Sequence, residues 1–406
     1  MKTAHPNIFL FACAVTFAFA STAFGQVTLG IDVLTSQKFD ILSSKRVGLI
    51  SNHSSLNAFG VPTHQLFIEN NINLTAIFAP EHGFRMNKTA GETIPHQTWH
   101  NIPIFSLYGK TKTPTPDMLK NIDIFVFDLQ DAGVRPFTFV STMFLAMKAA
   151  ARVNIPFVVL ERPNPIGYFK QDGFSLDTTF RSFVSLVNIP FIHAMTTTEI
   201  AKHIQQTELP TLTLYIINMK NYIKESFLDE LILSSNSTHL HSIMLPLSPN
   251  LTTQESLICY PISVLLEPTN VSEGRGTDKP FQIIGAPFIN SDELILALPK
   301  PFFTGIELRP ISFVPQSQYG KVNSPKYKGK QCYGIYFKIT NRNEVKPFHA
   351  AVALLVTLVK QYPTSFKFNQ PNFFDKLAGT NMLRLALNEG KSVDEILKLA
   401  HISIAK

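Results

Sequence analysis

The chain has 406 residues, a hydrophobic content of 45% and a formal net charge of +7 at pH 7. The length allows two domains, and the modest positive charge, without a Lys/Arg block or a nucleic-acid-binding motif, argues against nucleic acid as a partner. A surface field of this sign favours an anionic ligand or a polyanionic matrix instead.

The first 25 residues are predicted to be a secretory signal peptide. Lys2 supplies a positive start, residues 8–20 are apolar but too short for a comfortable membrane span, and residues 23–25 form a small-x-small cleavage site. The mature chain would begin at Gln26 and be exported, either periplasmic or secreted. No later run is long and apolar enough to span a bilayer, so we expect no stable membrane insertion.

Residues 26–205 are predicted to form a Rossmann-like domain. Apolar, β-rich runs alternate with helical or polar stretches, and residues 142–153 have a helical pattern that leads directly into the last run. This alternation is typical of an α/β fold with a doubly wound parallel sheet and right-handed crossovers. The predicted strands are residues 46–51, 74–78, 102–107, 122–129 and 155–160.

Polar side chains follow each predicted strand, at the edge where open α/β sheets bind ligands. The richest group is Glu81, His82 and Arg85, which follows an apolar run that Pro80 and Gly83 end sharply. A carboxyl group beside an apolar strand end is partly desolvated, which favours the protonated form that a general acid needs, although a loop salt bridge is the alternative. The further candidates along this half are Asn52, Tyr108, Asp128, Asp131, Arg135, Glu161, Arg162, Asn164 and His193.

Residues 206–406 are predicted to form a smaller α+β domain that closes over the cleft at this sheet edge. A Pro-rich loop spans residues 246–252 and a second polar cluster spans residues 267–277. Strands are predicted at residues 211–218, 306–313 and 333–339, and helices at residues 347–362 and 392–400. The candidate binding residues of this half are Asn250, Asn270, Glu273 and Arg275.

Two cysteines, Cys259 and Cys332, remain after removal of the signal peptide. An oxidising compartment would allow them to pair, and their separation along the chain leaves that question open. Their spacing matches no zinc site.

The motifs of cofactor-dependent enzymes are missing from the sequence. Residues 51–55, the turn after the first predicted strand, lack the Gly-x-Gly-x-x-Gly fingerprint of a dinucleotide site. A Walker P-loop, a Gly-x-Ser-x-Gly elbow and a His-Glu-x-x-His metal motif are also missing. We therefore expect no cofactor and no metal, and a nucleotide-cofactor enzyme ranks third among the interpretations.

The remaining candidates are Glu, Asp, Asn, Arg and Tyr side chains, a set that glycoside hydrolases use. Such enzymes need a protonated carboxylic acid for the leaving oxygen and a second group for water or for nucleophilic attack. Asn and Arg side chains can hold the hydroxyl, amide and acid groups of a sugar. The candidate set therefore indicates a glycosidase, and a non-catalytic binder of the same ligand is the second interpretation.

Six sequence motifs carry a family resemblance. They are residues 81–85 (EHGFR), 106–109 (SLYG), 127–135 (FDLQDAGVR), 161–165 (ERPNP), 248–250 (SPN) and 269–277 (TNVSEGRGT). Together and in this order they resemble the bacterial exo-β-N-acetylmuramidase family of peptidoglycan hydrolases, over nearly the whole mature chain. Ala194 and Pro268 stand where the family usually has Gly.

The resemblance implies a fold, an activity and a substrate. The fold would be a Rossmann-like catalytic domain with a second α/β domain. The activity would be removal of N-acetylmuramic acid from the non-reducing ends of cell-wall fragments. The partners would then be saccharides derived from peptidoglycan, and the second interpretation becomes a non-catalytic muramyl-binding protein.

By the same resemblance, Glu81 is the proposed catalytic glutamate, which we assign as general acid/base. His82 would orient Glu81, bind the sugar or serve the structure alone. A third route uses the acetamido oxygen of the substrate as nucleophile and needs no second carboxylate. The candidates for a second carboxylate are Asp128 and Asp131, followed by Glu161 and Glu273.

Muramic acid differs from glucosamine by a lactyl carboxylate. Selectivity for this group calls for a cation, and the fork geometry of a guanidinium favours Arg over Lys. Arg135 and Arg275 are the first choices, followed by Arg85 and Arg162. The alternative for each is an ion pair with a neighbouring Asp or Glu.

Overall fold

The computed structural model describes residues 26–85, 97–227, 229 and 246–405. The predicted signal peptide, residues 1–25, lies outside the described residues, and it stays a prediction.

A seven-stranded sheet forms the centre of the first domain. Among the described strands the order is β3-β4-β2-β1-β5-β6-β7, and all neighbours are parallel except β3 with β4. The strands are β1 (Val47–Ser51), β2 (Leu74–Ala79), β3 (Gln97–Trp99), β4 (Ile102–Ser106), β5 (Ile124–Asp128), β6 (Phe157–Leu160) and β7 (Leu214–Ile217). The predicted α/β fold with a mainly parallel sheet is confirmed.

The central strands are covered on both faces by helices. Every residue of β1, β5 and β6 is buried, which explains why these strands read as continuous apolar runs instead of alternating ones. The last of the helices begins with a capping box between Thr196 and Glu199. The helices are α1 (Gly30–Ser36), α2 (Thr63–Glu69), α3 (Pro116–Leu119), α4 (Phe139–Arg152) and α5 (Thr197–Glu208).

The first sheet extends beyond residue 205, where the sequence analysis placed the end of the first domain. Strand β7 pairs in parallel with β6, from Phe157 opposite Leu214 to Leu160 opposite Ile217. The edge of β6 needs a hydrogen-bonding partner, and the apolar run of β7 supplies it. The first domain therefore includes β7.

The second domain is built on a three-stranded antiparallel sheet with the order β8-β10-β9. Its strands are β8 (Ile283–Ala286), β9 (Ile306–Phe313) and β10 (Cys332–Ile339). Its helices are α6 (Gln254–Ser263), α7 (Ser291–Ala297), α8 (Pro347–Gln361), α9 (Pro371–Ala378), α10 (Met382–Asn388) and α11 (Val393–Ile404). The strands and helices predicted after residue 300 are confirmed, with boundaries that differ by a few residues.

One hydrophobic core continues across the two domains. Phe191 of the first domain packs against Phe348 of the second with ring centroids 5.5 Å apart. Cys259 and Cys332 are both buried as separate free thiols, and burial raises the pKa of the Cys332 thiol to about 11. Within the described part of the chain, every helix falls short of the length and apolar character required to cross a bilayer.

Candidate active site

A cavity of about 480 Å³ opens at the carboxyl edge of the seven-stranded sheet, and residues of both domains line it. This edge lies where the order of the strands reverses around β1, which is the ordinary ligand site of open α/β sheets. The predicted site residues that line the cavity are Glu81, His82, Tyr108, Asn250 and Arg275.

Glu81 lies in the tight turn that follows β2. His82 and Gly83 both adopt positive φ angles, 70° and 78°, and the Gly83 amide donates to the carbonyl of Pro80 at 3.0 Å. Glu81 is 9% exposed, and its Oε2 accepts a hydrogen bond from Thr138 Oγ1 at 2.7 Å. The turn and this bond hold one carboxyl group at the cavity wall.

Tyr108 lies beside this turn because its strand is the neighbour of β2. Ala79 pairs with Ser106 in the parallel register, so Glu81 and Tyr108 each follow their strand by the same two residues. The rings of Tyr108 and Phe183 lie 5.7 Å apart. Both rings line the cavity and give this part of its wall an aromatic surface.

The second domain contributes a carboxylate–guanidinium pair. Arg275 Nη2 lies 2.5 Å from Glu267 Oε1, and both residues line the cavity. Burial raises the pKa of Glu267, and Arg275 offsets this only in part. Glu81 and Glu267 both line the cavity, and the negative charge of Glu81 is a minor contribution to the raised pKa of Glu267.

Glu273 lies behind this pair, buried next to the cavity lining. Its Oε1 is 3.8 Å from Arg275 Nε, and its Oε2 is 2.7 Å from Lys326 Nζ. Burial acts to raise the pKa of Glu273, but Lys326 and Arg275 outweigh it and hold that pKa below its ordinary value. The Lys326 ammonium also donates to backbone carbonyls, at 2.7 Å to Leu266 and 2.6 Å to Val271, so it fixes the segment that carries Glu267.

Asn250 lines the cavity from the predicted Pro-rich loop. Its Nδ2 donates to the carbonyl of Lys321 at 3.2 Å. Its Oδ1 is buried and has no hydrogen-bond partner among the described residues. This oxygen can accept a hydrogen bond from a ligand.

Asp128 and Arg162 form a buried ion pair outside the cavity lining. Arg162 Nε and Nη2 lie 2.5 Å and 2.9 Å from the two carboxylate oxygens of Asp128, and Thr63 donates to the same carboxylate. Their side chains are only 0% and 2% exposed. The structure thus places a predicted second carboxylate and a predicted lactyl ligand against each other in the interior, because the two strand ends that carry them lie close together.

Arg135 is also buried away from the cavity lining. Its Nη1 donates to the carbonyls of Phe174 and Ile189, both at 2.7 Å, and its Nη2 donates to that of Ala378 at 2.5 Å. Gly379 follows with a φ of 75°, and any Cβ there would collide with the Arg135 guanidinium. Arg135, a first choice for the lactyl carboxylate, joins the two domains instead, since it binds carbonyls of both and lies outside the cavity lining.

Asp131 and His193 form a second buried pair close to the site. His193 Nε2 is 3.1 Å from Asp131 Oδ2, and its Nδ1 accepts from the Met195 amide at 3.2 Å. Asp131 Oδ2 also accepts from the Gly133 amide at 2.6 Å. Neither side chain lines the cavity. The charge of Asp131 nevertheless contributes to the raised pKa of Tyr260, which does line it.

The other predicted residues serve local structure or lie at the surface. Glu161 accepts hydrogen bonds from Thr196, Thr198 and the Met219 amide at 2.6–2.8 Å, which joins β6 to the start of α5. Arg85 is exposed and does not line the cavity. The remaining three hold backbone segments through their side-chain amides, and they are Asn52, Asn164 and Asn270.

Several residues that line the cavity were missed by the sequence analysis. Glu267 opens the polar cluster that contains Glu273, so composition alone could have indicated it. Thr138 begins a helix and Lys376 lies within one, and neither position carries a sequence signal. The missed polar and aromatic lining residues are Lys112, Phe137, Thr138, Phe139, Ser182, Phe183, Ser248, Tyr260, Glu267, Phe281, Phe373 and Lys376.

No cluster of three or more His, Cys, Asp or Glu side chains suited to a metal ion occurs in the part of the chain that the structure describes.

The fold and the cavity define a class. A Rossmann-like sheet domain, a smaller domain over its carboxyl edge and a cavity with two carboxyl groups are the features of a two-domain α/β glycosidase. The family models described as exo-beta-N-acetylmuramidase NamZ, N-terminal and C-terminal, match residues 47–254 and 258–405. The chain belongs to this family, and the resemblance inferred from its motifs is confirmed.

Characterised and solved relatives cover almost the whole chain. The peptidoglycan beta-N-acetylmuramidase NamZ of Bacillus subtilis (strain 168) is 39% identical over 375 residues, which are 92% of this chain and 87% of the relative. Two crystal structures of DUF1343 family proteins from Bacteroides fragilis NCTC 9343 are each 29% identical. They match with TM-scores of 0.79 and 0.70, and cover 93% and 94% of this chain and 98% and 96% of theirs.

Proposed function

We propose that this protein removes terminal, non-reducing β-N-acetylmuramic acid from peptidoglycan fragments, with Glu81 as the general acid/base. The observation that carries the proposal is the position of the Glu81 carboxyl group, held at the cavity wall by Thr138. The name of the Bacillus subtilis relative supports the substrate.

Glu81 would supply the proton that the departing sugar oxygen needs. A carboxyl group that is almost fully buried and held in one orientation can transfer a proton without first being positioned. His82 follows it in the same turn and also lines the cavity, so it is placed to contact the sugar.

Glu267 is the second carboxyl group that the described residues place on the cavity wall. It replaces Asp128 as the leading candidate for the second group, because Asp128 is enclosed by Arg162 and Thr63. Its pairing with Arg275 keeps it in place beside the substrate. The acetamido group of the substrate remains the alternative nucleophile, and the free Asn250 Oδ1 could accept a hydrogen bond from the acetamido N–H.

The test is a release assay on a chromogenic β-N-acetylmuramide, with the matching β-N-acetylglucosaminide as the comparison. Release from the muramide supports the proposal, and the ratio between the two sugars measures the contribution of the lactyl group. Binding of muramyl ligand without release would favour the non-catalytic muramyl-binding protein.

We also propose that the protein is exported, and that Gln26 is its first mature residue. The positive start, the short apolar run and the small-x-small site support this. N-terminal sequencing of the protein purified from its native host tests it. A chain that retained residues 1–25 would contradict it.

A further inference from the structure

The lactyl carboxylate of the proposed substrate needs a cationic side chain to bind it, and few cationic side chains reach the cavity. The described residues place three cationic side chains on the cavity wall, namely Lys112, Arg275 and Lys376. Arg135 and Arg162 are buried outside the cavity lining, where they bind backbone carbonyls and Asp128. They are not available to a ligand in the cavity.

Arg275 is already engaged by two carboxylates. Glu267 lies 2.5 Å from its Nη2 and Glu273 lies 3.8 Å from its Nε. A third carboxylate at this guanidinium would meet the repulsion of both. The two lysines form no ion pair with a described Asp or Glu, so their charge is open to an anionic ligand.

Lys112 is the lysine on the wall that carries Glu81. It belongs to the loop after β4, four residues beyond Tyr108, which follows its strand just as Glu81 follows β2. Its Nζ lies 4.5 Å from the ring centroid of Phe183 and 5.9 Å from that of Tyr108. The two rings hold the ammonium at the cavity without neutralising it.

We propose that Lys112 binds the lactyl carboxylate of the terminal sugar, and that Tyr108 and Phe183 contact the lactyl methyl group. A lactyl group is a methyl and a carboxylate on one carbon, and this corner offers an apolar surface and a cation side by side. The inference rests on the proposed function, and it makes Lys112 the residue that distinguishes a muramide from a glucosaminide.

A consequence concerns the stem peptide. A peptide joined to the lactyl group converts its carboxylate into a neutral amide, which an ammonium attracts far less strongly. Lys112 itself is exposed at the rim of the cavity, so the lactyl group would point toward solvent. The protein should therefore accept both forms and prefer the peptide-free sugar with its free carboxylate.

The experiment compares two chromogenic muramides, one with the free lactyl carboxylate and one with that carboxylate converted to a methylamide. Lys112→Met should raise KM for the free acid about tenfold, with kcat within about twofold, and leave KM for the methylamide unchanged. Lys112→Gln should act in the same way, and Lys112→Arg should stay close to the wild type. Lys110→Met is the matched control, because Lys110 is an exposed lysine of the same loop that does not line the cavity.

Three results would overturn the inference. The first is an equal rise in KM for both substrates in Lys112→Met. The second is a wild-type KM for the free acid in both Lys112→Met and Lys112→Gln. The third is that Lys376→Met, and not the Lys112 variants, raises KM for the free acid alone. Failure of the proposed function looks different, because the wild-type protein itself would then release nothing from either muramide.

Discussion

The Thr138 hydroxyl donates a hydrogen bond to Glu81 Oε2 at 2.7 Å, and this bond joins the turn after β2 to the start of α4. Thr138 and Glu81 are buried, at 7% and 9% exposure, so water competes little for the contact. The bond occupies one carboxyl oxygen and leaves the orientation of the group fixed by the scaffold. Orientation of this kind lowers the barrier to proton transfer without adding to substrate binding.

Thr138→Val should therefore reduce kcat more than it affects KM. The substitution keeps the shape of the side chain and removes only the donor, so we expect kcat to fall about tenfold and KM to change less than about threefold. Steady-state kinetics on a chromogenic muramide measure both quantities. Thr138→Ser, which keeps the hydroxyl, should retain most of the activity. A Thr138→Val protein with normal kcat and a raised KM would show that the bond serves binding instead.

The Asp128–Arg162 pair should serve stability. Removing one partner leaves an unpaired buried charge, so Asp128→Asn and Arg162→Met should each lower the free energy of unfolding by about 3–5 kcal/mol. The double substitution should cost less than the sum of the two. Chemical denaturation measures these differences. An Asp128→Asn protein of normal stability that had lost activity would restore Asp128 as a catalytic candidate.

Glu81 and Asp128 show which features of the site could be predicted from the sequence and which could not. The strand pattern placed Glu81 and His82 at the ligand edge, since each strand end is a local feature of the chain. Asp128 has the same local pattern, an acid after an apolar run. Its burial depends on Arg162, 34 residues further along, whose fork closes on it only once β5 and β6 are paired. Local composition cannot separate these two outcomes.

The second domain shows a similar limit. The sequence indicated the cluster that contains Glu273 and Arg275, and Arg275 does line the cavity. Glu267, at the start of the same cluster, reaches the cavity wall, whereas Glu273 is held behind it by Lys326. The lysine lies more than 50 residues further along the chain. Which carboxylate faces the ligand is therefore decided by tertiary packing.

His64 should make the first domain sensitive to acid. Burial lowers its pKa from 6.5 to about 4, since its ring packs between Phe84 and Trp99 at 4.8 Å and 4.7 Å. The unfolded chain binds this proton near pH 6.5 and the folded chain only near pH 4. Stability is thus complete above pH 6.5, falls between those values, and is reduced by about 3 kcal/mol below pH 4.

The measurement is the free energy of unfolding against pH, followed through the fluorescence of Trp99, the single tryptophan of the chain. His64→Gln removes the titrating group and should flatten the curve between pH 6.5 and 4. The account of His64 fails if the two proteins lose stability in parallel over that window.

Ala194 should be a site of backbone strain. Its φ angle is 48°, in the left-handed region that favours Gly, and the sequence has Ala where the family motif usually has Gly. Ala194→Gly should raise the free energy of unfolding by about 0.5–1 kcal/mol, because relief of the strain exceeds the added freedom of the unfolded chain. Thermal unfolding measures the change.

Ala146→Gly, in the middle of α4, provides the opposite control for this effect. It should destabilise the protein by about 1 kcal/mol, since glycine loses more conformational entropy than alanine when it is fixed in a helix. Destabilisation by both substitutions would show that Ala194 is not strained.

Glu81 is the residue on which the account depends, and the most direct test compares wild type with Glu81→Gln on two leaving groups. One substrate is a disaccharide with terminal N-acetylmuramic acid, and the other is its 4-nitrophenyl muramide. The amide keeps an acceptor oxygen for Thr138, so the fold and the thermal midpoint should be unchanged. We expect disaccharide cleavage to fall about a thousandfold. Release of the nitrophenyl group should fall much less, because it leaves as the stable nitrophenolate anion and needs no proton from Glu81. Wild-type cleavage of the disaccharide by Glu81→Gln would contradict the assignment of Glu81 as the general acid.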